Sequence, residues 1–261
     1  MIDIHSHILP GADDGAKDWD DTLQLARAAV EDGIHTIVAT PHHASRLYWN
    51  YAAEVRELTS EVNRRLVSEG IALQVLPGQE IRVHDDLLEA WSRGELLPLG
   101  NSDYVLIEMP SSAVPKNMAE LIHELSILGL RTIIAHPERN KEIVNDPQLL
   151  EALLEAGAYG QMTTHSLLGG FGRQIERNAW QLCKKGLVHV IASDAHHIEK
   201  RNFRLREAYD RVEKELGKSW RVYYERNAEH IVNGRSLEDL PSELDKKNLK
   251  IWRGISRFFR Y

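Results

Sequence analysis

Short apolar runs alternate with longer stretches of helical period along almost the whole chain. Ile2-Asp-Ile4 opens the pattern. Within residues 22–32, Leu23, Ala26 and Val30 fall on one stripe, and Gly33 closes it as a C-cap. His35-Thr-Ile-Val-Ala-Thr40 reads as a buried strand ending at Pro41-His42-His43. Val55, Leu58, Val62 and Leu66 repeat at helical spacing within residues 51–69. Ile71-Ala-Leu-Gln-Val-Leu76 is the third strand, continuing past Pro77-Gly78 to Glu80. A weaker helix over 86–93 precedes Tyr104-Val-Leu-Ile107, which ends in Glu108. Met118, Leu121, Ile122, Leu125 and Leu128 make the next stripe, and Thr132-Ile-Ile-Ala135 ends at His136-Pro137. Pro147, a first-turn proline behind Asp146, starts the helix of Leu149, Leu150, Leu153 and Leu154. Tyr159-Gly-Gln-Met-Thr163 and Leu187-Val-His-Val-Ile-Ala192 are the sixth and seventh strands, followed by helices over 175–182 and 205–216 respectively.

This alternation argues for a parallel sheet with crossover helices. About seven strands with helices between them predict an α/β fold closed into a distorted TIM-like barrel of about seven βα units. Residues 1–261 read as one domain. From about Tyr224 the character changes: a short segment runs to Gly234, and a helical C-terminal extension is expected over 235–261. There Ile251, Trp252, Ile255 and Phe258 share one side, expected to pack on the barrel. Its Lys and Arg residues are able to touch an anionic membrane surface, and at most peripheral membrane proximity, through a partner, is expected.

Composition narrows the function classes. A chain of 261 residues can bury a sizeable core without staples. Its one cysteine, Cys183, excludes an intrachain disulfide scaffold and fits a reducing compartment. No run of about eighteen apolar residues is present, and the start lacks a basic region followed by an apolar one, so the cytoplasm is the expected location. The net charge of −7 argues against a nucleic-acid partner.

The chemistry-bearing residues keep choosing one kind of position. His5 and His7, two apart on a strand, share a face. Paired imidazoles of this kind suit a borderline divalent metal. The turn Pro10-Gly-Ala-Asp13-Asp14-Gly15 can fold either acid back toward them. His42, Glu80, Glu108, His136, Asp194 and His196 also stand at predicted strand ends, which in a parallel barrel gather on the face where active sites are built. His35 and His189 stand near strand starts and are expected to face away. His84, His123 and His230 fall outside strand ends, alternation turns His43 and His197 aside, and His165 follows a strand end with its role open.

Taken in order, His5-Ser-His7, Asp13-Asp14-Gly15, Thr40-Pro41-His42, Gly78-Gln-Glu80, Ile107-Glu108, Ala135-His136-Pro137-Glu-Arg139 and Ser193-Asp194-Ala-His196 resemble the polymerase-and-histidinol-phosphatase (PHP) family. More narrowly, they resemble its bacterial manganese-dependent protein-tyrosine phosphatases of capsule and exopolysaccharide gene sets. The resemblance runs from Met1 to about Gly234. It implies the same distorted barrel and a trinuclear site. His5, His7, Glu80 and Asp194 would hold a first ion, Glu80, Glu108 and His136 a second, and Asp14, His42 and His196 a third. Donors of nitrogen and oxygen without thiolate favour manganese, iron or zinc over a soft-metal site, and the resemblance implies manganese. Four carboxylates against three divalent ions leave about two positive charges for a phosphate monoester dianion, and metal-activated water would attack in line.

Arg139 and Arg201 are candidate forks for phosphate oxygens, with a surface ion pair as the alternative for each. The general acid is sought near His42 and Asp14. The resemblance implies a metal-dependent phosphotyrosine phosphatase whose partner is the phosphotyrosine tail of a bacterial tyrosine kinase controlling polysaccharide export. A histidinol-phosphatase-like phosphomonoesterase is the nearest rival, and a catalytically inactive metal-binding regulator the rival of another class. A cysteine phosphatase is excluded, because its loop needs arginine six residues after Cys183 and position 189 is His. The segments around 45–51 and Gly169-Gly-Phe171-Gly172 are the expected aromatic and glycine-bearing rims of the mouth.

Overall fold

The computed structural model describes residues 1–45 and 47–241. Its strands are β1 (Ile2–Ser6), β2 (Thr36–Ala39), β3 (His42–Ser45), β4 (Tyr48–Trp49), β5 (Gln74–Pro77), β6 (Glu80–Arg82), β7 (Tyr104–Glu108), β8 (Arg131–Ala135), β9 (Tyr159–Thr163) and β10 (Val190–Ala192). Its helices are α1 (Trp19–Asp32), α2 (Ala52–Ser68), α3 (Leu87–Ser92), α4 (Met118–Ile127), α5 (Lys141–Asn145), α6 (Gln148–Glu155), α7 (Thr164–Leu167), α8 (Arg173–Lys184), α9 (Leu205–Leu216) and α10 (Lys218–Val232). Local chemistry sets the boundaries. At α1 the Asp18 side chain accepts from the Asp20 and Asp21 amides, and Gly33 ends the helix at φ 89°.

The strands are parallel throughout, except that β3 and β4 form an antiparallel hairpin. They pair in two ladders, β1-β2-β5 and β10-β9-β8-β7-β6-β3-β4. The predicted third strand therefore breaks at Gly78-Gln79, and its halves β5 and β6 belong to different ladders. The second strand breaks likewise at Thr40-Pro41, where proline cannot donate to a ladder. Among the described residues no continuous ladder closes a barrel. The ladders meet at β1 and the end of β10, where one isolated bridge joins Ser6 and Ala195. There Asp194 N donates to the His5 carbonyl at 2.9 Å, and His7 N to the Ala195 carbonyl at 2.8 Å. Buried Asp3 stitches the same seam, accepting from the Ser193 amide at 2.9 Å and from its hydroxyl.

Strand alternation divides the core. Ile4, Val38, Tyr104, Leu106, Ile133, Val190 and Ala192 pack in one cluster with Ala228 and Ile231 of α10. Val105, Ile107, Ile134 and Ile191 turn the other way, into the larger cluster shared with the surrounding helices. Glu108, two residues beyond Leu106 on β7, continues the first face. The short segment expected before Gly234 is the end of the 15-residue α10, which buries Trp220, Tyr223, Tyr224 and Ile231. Residues 235–241 form no helix; Tyr104 donates its hydroxyl to the Arg235 carbonyl at 2.8 Å. The rest of the expected C-terminal helix lies outside the described residues. Among those described, no helix is long and apolar enough to cross a membrane.

Candidate metal centre

Ligand-type side chains converge from the ends of β1, β7, β8 and β10 and from the first residues of β3 and β6. Three sets offer donor atoms within 4.8 Å of one another: His7, Asp14, His42 and His196; His5, His7 and Glu80; and His42, Glu80 and Glu108. His136 joins them through Nε2, 2.6 Å from Glu80 Oε1. Asp194 joins through Oδ1, 3.4 Å from Nε2 of both His5 and His7. All nine candidate ligands thus share one site, although the sets overlap more than the three separate groupings implied by the resemblance. Glu80 is central: its Oε2 is 3.4 Å from His5 Nε2 and His7 Nε2 and 2.9 Å from His42 Nδ1.

Several of the atoms facing one another have no hydrogen-bond partner. Glu80 Oε2, Glu108 Oε2, Asp194 Oδ1, His42 Nδ1 and His196 Nε2 are buried without a hydrogen-bond partner. Such atoms cost free energy unless something positive lies among them. Metal–ligand bonds of about 2.0–2.2 Å separate neighbouring donors by roughly 3.0–3.4 Å, the spacing found around Glu80 and Asp194. The outer partners fit the same reading. His7 Nδ1 lies 2.6 Å from Asp13 Oδ2, His5 Nδ1 3.1 Å from Gln161 Oε1 and His196 Nδ1 3.0 Å from the Asp194 carbonyl. Each bond puts the proton on Nδ1 and leaves Nε2 free to ligate. The acidic turn therefore divides its labour: Asp14 enters a donor set, and Asp13 orients His7 while accepting the His42 amide. The turn comes so close that a Cβ on Gly15 would meet the His7 carbonyl oxygen at 2.1 Å.

Electrostatics favour cation capture. Burial opposes ionisation of Glu80 and Asp194, yet both carboxyls are held well below their ordinary range, Glu80 by His5, His42 and His136, Asp194 by Arg139, His5 and Arg201. Burial, reinforced by Arg139, lowers His136 to about 4; burial with His7 does the same for His196. Burial would depress His42, but Glu80 and Asp14 outweigh it and raise it to about 10. Glu108 is raised by burial and by Glu80, against the pull of Arg82, which pairs with it at 3.0 Å. His136 and Asp194 both have positive φ, 34° and 55°, a left-handed conformation uncommon outside glycine and one that clusters at functional sites.

Arg139 and Arg201 are not scattered surface ion pairs. Both guanidiniums pair with Asp194 Oδ2 beside the donor sets, Arg139 as an ion pair at 2.8 Å and Arg201 donating a hydrogen bond at 2.5 Å. His165 stays out of those sets: its Nε2 meets the Lys200 carbonyl at 3.0 Å, bracing the loop that carries Arg201. Three contributors were not singled out in the sequence. Gln161 and Asp3 lie on strand faces whose period places them under the ligands, and Arg82 follows Glu80 by two. Cys183 is buried, its thiol pushed up to about 12, so it supplies no nucleophile.

The family model for capsular polysaccharide synthesis CpsB/CapC proteins matches residues 1–233. Tyrosine-protein phosphatase YwqE of Bacillus subtilis strain 168 is 44% identical over 247 residues, covering 95% of this chain and 97% of its own. Tyrosine-protein phosphatase CpsB of Streptococcus pneumoniae is 28% identical over 222 residues, covering 83% and 91%. A crystal structure from work on YwqE and CpsB, described there as unique metal-dependent tyrosine phosphatases, superposes with a TM-score of 0.89 at 44% identity, covering 91% of this chain and 96% of that one. A β-aspartyl dipeptidase of Fervidobacterium islandicum AW-1, at 15% identity and TM-score 0.51, shares the fold alone.

Proposed function

The chain belongs to the capsular polysaccharide synthesis CpsB/CapC family, and from that membership we propose that it is a metal-dependent protein-tyrosine phosphatase of capsule synthesis. The observation that carries the reading is the convergence of unpartnered carboxylate and imidazole atoms beside two arginines on one carboxylate oxygen. We assign His5, His7, Asp14, His42, Glu80, Glu108, His136, Asp194 and His196 as ligands to three divalent ions, manganese first. Bound there, such ions supply Lewis acidity toward the phosphoryl oxygens and a lowered pKa for water.

The chain's own residues do the rest. Asp13 and Gln161 fix the tautomers of His7 and His5. Asp194 spends one oxygen on the donor sets and the other on anchoring Arg139 and Arg201. Each guanidinium keeps further N–H groups to orient phosphate oxygens. Asp14, with 52% of its side chain exposed, and His42 beside it mark the open side, where a water or side chain next to them would supply the proton for the departing oxygen. A tyrosine phenol, with a pKa of about 10, needs little such help. The substrate we assign is the phosphotyrosine tail of a bacterial tyrosine kinase of polysaccharide synthesis, met in the cytoplasm.

The test is turnover of phosphotyrosine peptide, phosphoserine peptide, histidinol phosphate and a nucleotide by the same manganese-loaded preparation. Phosphotyrosine should be fastest and histidinol phosphate slow. A strong preference for histidinol phosphate would move the chain to small-molecule phosphomonoesters, and preferential cleavage of nucleic-acid ends would remove both phosphatase readings.

A further inference from the structure

One aromatic side chain at the mouth remains unused by the metal centre. Phe171 is half-buried, in the glycine-rich turn between α7 and α8. The Cζ atoms of Arg139 and Arg201 lie 5.4 and 5.8 Å from its ring centroid. These are the two guanidiniums anchored on Asp194. The ring also lies 5.6 Å from that of His165, whose Nε2 holds the Lys200 carbonyl. Neighbouring backbone fixes the turn: Gly170 N donates to the His165 carbonyl at 2.8 Å, and a Cβ on Gly170 would meet the His165 ring at 2.7 Å. The sequence therefore builds a rigid seat that sets one phenyl ring against both arginines.

We propose that Phe171 is the specificity-determining residue that selects an aromatic phosphate ester, packing on the ring of the phosphotyrosine whose phosphate Arg139 and Arg201 orient. The inference rests on the phosphatase reading and adds to it a cause for ring selectivity. A phosphate held by those guanidiniums carries its ester group within one aromatic ring's length of them, and so within the range, centroids about 4.5–7 Å apart, where aromatic pairs attract. A serine ester in the same position ends in a methylene and gains nothing from Phe171. The opposite rim is differently employed: Tyr48 lies parallel to the proposed ligand His42, 6.1 Å away at 16°. An aromatic pair is worth up to about tenfold in an equilibrium constant beyond its buried area, so selectivity of that order is assigned here.

The experiment compares kcat/KM on phosphotyrosine and phosphoserine peptides of one sequence for wild type, Phe171→Ala, Phe171→Leu and Phe171→Tyr, all manganese-loaded, together with competitive inhibition by inorganic phosphate. The expected result is a phosphotyrosine-to-phosphoserine ratio lowered about tenfold in Phe171→Ala, lowered less in Phe171→Leu and restored in Phe171→Tyr. Phosphate inhibition, which involves no ring, should stay within about twofold. Equal losses on both peptides with weakened phosphate inhibition would reduce Phe171 to a brace for the arginines and overturn the proposal. An unchanged ratio in Phe171→Ala and Phe171→Leu would overturn it too. A wild type inactive on phosphotyrosine but active on another monoester would instead defeat the underlying phosphatase assignment, a distinct outcome that takes this proposal with it.

Discussion

The two ends of the strands bury histidines in opposite ways. At the site, past the ends of most strands and at the start of β3, His5, His7, His42, His136 and His196 face carboxylates, and several buried donor atoms have no hydrogen-bond partner. At the amino ends, His189 is satisfied as an ordinary structural residue. Its Nδ1 accepts the Gly160 amide at 3.0 Å, its ring packs edge-on to Tyr159, and Asn227 caps its carbonyl. Burial is the sole cause that lowers its pKa, to about 4. His35, exposed at the same end, pairs with its neighbour, the Thr36 hydroxyl. A buried histidine is therefore no site by itself. What makes one is a surplus of acceptors, which needs a cation.

Glu80→Ala should give the largest effect, because the carboxylate lies within reach of four imidazoles. Phosphotyrosine turnover should fall by more than about a thousandfold, the scale of removing a group on which the whole site depends. Elemental analysis should show more than one equivalent of metal lost; full metal retention would remove Glu80 from the ligands shared by two ions.

Arg139→Ala sharpens the comparison from within the site. It should keep its metal and lose about a hundredfold in kcat/KM, as for one preorganised charge-stabilising donor. A loss confined to KM would make Arg139 a uniform binder, and unchanged kinetics would make it only an anchor of Asp194. Asp13→Ala removes an orienting partner and no ligand. Metal affinity, read by titration against a chelating indicator, should weaken about 10- to 100-fold while saturating metal restores turnover. Failure of excess metal to restore it would place Asp13 among the ligands.

His189→Gln tests the other end and should leave turnover intact. The native imidazole stays neutral down to about pH 4, whereas the unfolded chain takes up the proton near 6.5. The unfolded state then binds more protons between those values, so the histidine's contribution is complete above about pH 6.5 and is lost as pH falls toward 4. Across that window wild type should lose about 3 kcal/mol more stability than the variant in urea titrations. Parallel pH profiles would show that His189 is not buried neutral.

The alternation of strand and helix, and the gathering of most candidate ligands at or just past strand ends, follow from local period and are legible; His42 and Glu80 instead open β3 and β6, and Asp14 comes from the acidic turn. Proline at 41 and the turn at Gly78-Gln79 break two strands and shift them between ladders, a pairing choice that periodicity does not report. The β3–β4 hairpin lacks the Asn-Gly or Asp-Gly turn that announces such hairpins. The full length of α10 is not visible in the periodicity because its buried face is built from Trp220, Tyr223 and Tyr224 among charges rather than from leucines. Asp3 stands two residues before His5 on the same strand, and Gln161 sits mid-strand. Their period was visible, but their roles depend on Ser193, His5 and His136, which reach them only through the tertiary fold.

The central claim is that the acceptor surplus at the strand ends exists to hold catalytic cations. Metal-stripped protein should be titrated with manganese while bound metal and phosphotyrosine turnover are followed in the same samples. The account predicts silence without metal, and activity that rises as the site fills and levels off near three equivalents. Substantial turnover by protein shown to be metal-free would contradict it.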